Sequence, residues 1–169
     1  MVAVVLLAGC RAKVDAGFFT LRGPDGFGEC KLTDVIPDKM VLSTEPKELT
    51  QIGQMTGAKG YMSINWHPGS YRESQATNSL GIGTLPDGAH KISEGDKSFG
   101  GILCWEETIV QLDSTQKSEL RWLYHVAIPL DGGAIDILAS IMPNKDMLED
   151  VKNSVATIEI TNKKFFGAK

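Results

Sequence analysis

The sequence predicts an α+β fold: a largely antiparallel sheet flanked by helices. Three stretches carry that prediction. Residues 101–112 and 120–130 read as long apolar strands joined by the polar run DSTQKS. Asp131-Gly132-Gly133 is a strong hairpin signal and leads into a third strand, 134–142, whose Ile135, Ile137, Ala139 and Ile141 share one face. Behind Pro143, Asn144 is a suitable helix N-cap for a segment whose apolar stripe is Met147, Leu148, Val151 and Val155. Consecutive hairpin strands followed by a helix are the signature of an α+β sandwich.

The remaining elements follow in order. Residues 18–21 read as a first strand, ahead of the turn-rich GPDGFG at 23–28, and residues 40–42 as a short one. Leu49, Ile52 and Met55, spaced by three and followed by Gly60, predict a helix over 46–59. In the strand 61–66, Met62, Ile64 and Trp66 face one way and Tyr61, Ser63 and Asn65 the other. A last strand over 157–160 closes a single globular domain of residues 18–161, before a tail at 162–169. Apolar and charged contents of 42% and 22% are ordinary for a globular chain. A net charge of −4 with scattered basic residues argues against nucleic acid as a partner.

The first ten residues, MVAVVLLAGC, admit two readings. An apolar run this short is compatible with a buried strand or with the core of a signal peptide, and it is too short to span a bilayer as a helix. Leu7-Ala8-Gly9-Cys10 resembles the lipobox of bacterial lipoproteins, and that reading is preferred. The resemblance implies a signal peptide at 1–9, a diacylglyceryl group on Cys10, and a tether over 10–17 that reaches about 25 Å when extended. No basic residue precedes the apolar run, so this chain either lacks the family's n-region or has its true start upstream. Arg11 is not the Asp that retains such proteins at the inner membrane, so the expected location is the periplasm, lipid-anchored to the outer membrane. With Cys10 acylated, Cys30 and Cys104 remain. In an oxidising compartment they are expected to form a disulfide worth about 4 kcal/mol, the alternative being two free thiols packed as small apolar groups.

The C-terminal part, GGAIDILASIMPNKDMLEDVKNSVATIEI, resembles the end of the PsbP-like α/β/α sandwich family. The shared pattern is a long strand, a Pro-led turn, an amphipathic helix and a final strand, here with Ser154, Thr157, Ile158 and Ile160. The family includes the photosystem protein PsbP, the lipoprotein DcrB and the Eag chaperones of type VI effectors. It shares no catalytic set, so the resemblance implies a fold and not a reaction.

No residue pattern names a chemistry. Gly81-Ile82-Gly83 begins like a dinucleotide loop but meets Pro86 where a third glycine belongs. His67, His90 and His125 are too dispersed for a local metal motif, and no Gly-x-Ser-x-Gly elbow occurs. No catalytic residue, metal or cofactor is therefore expected. The stretch WHPGSYRES offers His67, Tyr71 and Arg72 as loop residues suited to protein contact, with a core Trp66 followed by a solvated turn as the alternative. Glu106 and Glu107, adjacent on a strand, point to opposite faces and cannot act as an acid–base pair. One is expected in solvent, and the other is expected either in solvent or in a polar cleft. With Glu94, Asp96 and Asp113 they are the acidic candidates for a partner's basic or metal-bearing cleft, the alternative being that they keep the surface soluble. The expected role is that of a non-catalytic lipoprotein that binds a protein. Its format suits an immunity protein against a periplasm-targeted toxin such as a type VI effector. A DcrB-like envelope accessory is the alternative. A cell-envelope hydrolase, with His67, Glu106 and His125 as its first residues to test, is less favoured.

Overall fold

The computed structural model describes residues 11–17, 19–32, 50–68, 88–99, 101–115, 117–130 and 133–161. In chain order these form β1 (Lys13–Asp15), β2 (Phe19–Arg22), β3 (Lys31–Leu32), β4 (Thr50–Gly57), β5 (Gly60–Pro68), β6 (Ala89–Phe99), β7 (Ile102–Leu112), β8 (Glu119–Leu130), β9 (Gly133–Ile141), α1 (Lys145–Val155) and β10 (Glu159–Ile160). Seven strands make one antiparallel sheet in the order β3-β4-β5-β9-β8-β7-β6. A small antiparallel sheet, β1-β2-β10, joins the first and last described strands.

The C-terminal half folds as its pattern predicts. Asn144 caps α1, its side chain accepting a hydrogen bond from the Met147 amide at 3.0 Å. The helix buries Leu148, Val151 and Val155 and packs on β2, β8 and β9. Beneath it lies a core of Met62, Ile64 and Trp66 from β5, Tyr124, Val126 and Ile128 from β8, and the predicted face of β9. Each such side chain taken out of water contributes about 1.5–3 kcal/mol.

The opposite face of the central strands is closed as well. Ile109, Leu123, Ala127 and Ala134 are buried outside the cluster under the helix. Every residue of β8 from Trp122 to Ile128 is buried. Among the described residues one helix packs against the sheet, where flanking helices were expected.

Four local expectations change. Residues 50–57, read as part of a helix, are β4, and residues 46–49 lie outside the described residues, as does the strand expected at 40–42. Ile52 and Met55 face the core three residues apart because the β4–β5 register shifts between Gln51 and Gly53. The extra residue of that bulge is Ile52, so a strand imitates helical spacing. Gly60 is not a helix stop: it opens β5, where a Cβ would run into the Ser140 carbonyl oxygen.

From residue 11 onward the expected tether belongs to the domain. β1 pairs with β2, and Val14 and Ala16 are 1% and 2% exposed. Residues 89–99, with no strand signal, are β6; its solvent-facing composition hides it, as is usual for an edge strand. Finally, Cys30 and Cys104 are free thiols. Cys30 directly precedes β3, while Cys104 sits on β7, with β4, β5, β9 and β8 between them. A disulfide requires Cα atoms within about 7 Å, which this topology denies.

Because Val14 is a core residue, Val14→Asp should lower stability by about 3 kcal/mol or more in urea unfolding. A mere tether would tolerate the change without effect.

Candidate functional site

Three apolar strands each bury one titratable residue on the face away from α1. They are Glu107 on β7, His125 on β8 and Asp136 on β9, exposed by only 2%, 3% and 8%. The register explains their meeting. Glu107 lies directly opposite His125, and Asp136 opposite Ala127, two residues along the same face. His125 Nδ1 is 3.0 Å from Glu107 Oε1, and Nε2 is 3.2 Å from Asp136 Oδ1. On the edge strand, Lys91 Nζ lies 2.9 Å from Glu107 Oε2 and also bonds Glu94. Asp136, His125, Glu107, Lys91 and Glu94 thus form a ladder of alternating charge across four neighbouring strands.

Burial alone would lower the pKa of His125. The hydrogen bonds and charges of Asp136 and then Glu107 outweigh it and raise the value to about 9. His125 is therefore an imidazolium at neutral pH, fixed as a cation between two anions. Both ring nitrogens are engaged, and the two carboxylates sit on opposite sides of the ring. In this arrangement the imidazole offers neither a free base to a substrate nor a lone pair to a metal. Burial lowers Lys91 in the same way, and its bonds to Glu94 and Glu107 raise it overall.

Glu106 points to the other face. The Tyr124 hydroxyl donates to its Oε2 at 2.8 Å, and Lys97 Nζ lies 4.0 Å from its Oε1. Burial first, then the Glu106 charge, pushes the Tyr124 phenol well above its usual range. The adjacent pair therefore splits across the sheet as strand geometry requires, yet neither carboxylate is simply solvated.

The structure brings Glu94, Asp96, Glu106 and Glu107 together on the β6–β7 hairpin, where Glu94 faces Glu107 and Asp96 faces Trp105. Only Glu94 and Asp96 remain open to a partner; Glu107 is removed from any contact surface by burial and Glu106 is half-buried. Beside them the apolar side chains of Ile92 and Leu103 are 49% and 59% exposed. His67 lies on β5 opposite Ala134, its side chain outside the described residues, as are Cys10, Tyr71 and Arg72 altogether. Lys91 and Asp136 escaped sequence reasoning. Asp136 had a signal: a carboxylate within the apolar run GAIDILASI must find a cation if both faces are covered.

The ladder fixes a pH dependence. A pKa raised on folding from 6.5 to about 9 contributes stability that is fully present below pH 6.5 and lost as pH rises through about 9. The loss should approach about 3 kcal/mol, read as a falling urea midpoint, and His125→Gln should flatten the profile.

No family model matches the chain, and neither does any curated protein. Among solved structures, it is similar to the solution structure of the cyanobacterial PsbP protein, CyanoP, from Synechocystis sp. PCC 6803. The TM-score is 0.55 at 11% identity, over 95% of this chain and 98% of that one. A likeness at that identity is one of architecture: the chain has a PsbP-like fold.

Proposed function

We propose that this chain is a non-catalytic periplasmic lipoprotein, anchored through Cys10 to the outer membrane, that acts by binding a protein. In this reading it is an immunity protein against a periplasm-targeted toxin, a cell-wall or lipid hydrolase delivered by type VI secretion. The observation supporting it is β6, an edge strand of 11 residues that is exposed along most of its length. Such an edge presents unpaired backbone donors and acceptors to an incoming strand. Glu94 and Asp96 add charge complementary to a basic or metal-bearing cleft, and Ile92 and Leu103 add apolar area. Burial of the sheet's second face supports a further helical layer there, completing an α/β/α sandwich.

A PsbP-like fold equally suits an envelope accessory of the DcrB kind, which would offer the same edge to a resident envelope protein. The test is binding and inhibition of the hydrolase encoded beside this chain's gene. Combining Glu94→Gln with Asp96→Lys should weaken that complex by about 100-fold with little change in melting temperature. Failure to inhibit the neighbouring product, with stable capture of a resident envelope protein, would favour the accessory role.

A further inference from the structure

The chain is acidic overall, yet cations gather beside Cys10. A groove of about 760 Å³ runs over the solvent face of β1-β2-β10, lined by Arg11, Lys13, Thr20, Arg22, Thr157 and Glu159 among others. Lys13 lies directly opposite Arg22, and Thr20 lies between Asp15 on one side and Glu159 on the other, so the groove is cationic at one end and acidic at the other. Like charges facing each other across a strand pair are destabilising, so an anion between them would be favoured. Arg11 is already committed, to Asp25 at 2.9 Å and Asp150 at 2.7 Å. Lys13 has only an exposed contact of 3.6 Å to Asp15, which is worth little. The Arg22 guanidinium makes no ion pair among the described residues. The Thr157 hydroxyl accepts from the Arg22 amide at 2.9 Å and donates to the Ser154 carbonyl at 2.7 Å, whereas the Thr20 hydroxyl makes no hydrogen bond among the described residues.

The position of this groove gives it a ligand. The fork of Arg11 on Asp25 and Asp150 staples the residue next to Cys10 onto the domain. Acyl chains on Cys10 would leave the protein about 4 Å along the backbone from that staple, which places the groove at the headgroups. We propose that the groove seats a phosphoethanolamine headgroup of the membrane. Lys13, Arg22 and the Thr20 hydroxyl hold the phosphate, and Glu159 holds the ammonium. The orientation rests on the anchor at Cys10, but the headgroup contact can be measured without it.

The test uses the full chain carrying Cys10→Ser, floated with vesicles of phosphatidylcholine alone or mixed with phosphatidylethanolamine or phosphatidylglycerol. Binding should prefer the phosphatidylethanolamine mixture and fall about 25-fold when Lys13→Gln and Arg22→Gln are combined, about fivefold for each cation. Glu159→Gln should erase the preference over phosphatidylcholine. Thr20→Val, which leaves every charge in place, should weaken binding and guards against a misfolded charge variant. Soluble phosphoethanolamine should displace the protein better than inorganic phosphate does. Equal binding to all vesicles, no loss in the double variant, or equal displacement by inorganic phosphate would overturn the proposal. The mass of Cys10 in membrane-extracted wild-type protein reports on the anchor separately.

Discussion

The second face of the large sheet depends on one interaction, the placement of the His125 imidazolium between Glu107 and Asp136. β8 and β9 are covered on both faces, so an ionised group there has no water to fall back on. Removing one partner would strand a buried charge, whereas replacing the whole set with apolar residues could cost nothing. The cluster is thus better understood as a specifier than as a source of net stability. A one-residue slip of β8 would carry His125 to the helix side and leave both buried carboxylates without their cation. The register of the whole meander is written in those charges, and Lys91 extends the constraint to the edge.

That edge has a double character. β6 carries Lys91, Glu94, Asp96 and Lys97, and its register with β7 shifts between Lys91 and Ser93. Charges and bulges are the means by which exposed edges resist pairing with copies of themselves. The same features make an edge selective, because a strand that docks must match the charge pattern and accept the local bend. Protection against aggregation and the proposed recognition of a partner would therefore draw on the same residues. At the other end of the order β3 is only two residues long, too short to template much.

How much of this could be read from the chain varied with the physics behind each signal. The β7-β8-β9 meander and α1 were legible because apolar alternation, a Gly-rich turn and an Asn cap all agreed. Residues 50–57 misled because a bulge at Ile52 gave a strand the spacing of a helix. β1 was overlooked because only Val14 and Ala16 mark it, and three-residue strands have no periodicity to detect. The ladder was half visible. His125, Glu106 and Glu107 stood out, but which carboxylate would be buried depends on the face covered by the rest of the chain. The expected Cys30–Cys104 bond followed from counting cysteines, and counting is blind to the strands that stand between them.

The small sheet has a consequence for the order in which the molecule can be made. β2 pairs on one side with β1 from the start of the domain and on the other with β10 from its end. Ser154 and Thr157 bond the backbone of Arg22, and Asp150 bonds Arg11 and the amide of Asp25, all across more than 120 residues of chain. None of these contacts can form on a ribosome until residues 150–160 have emerged. The hairpins of the meander can pair early, but the N-terminal strands must wait as an unpaired segment. Completion of the domain therefore waits for its last strand, and a chain truncated before Ile158 would keep its meander and lose the β2–β10 pairing.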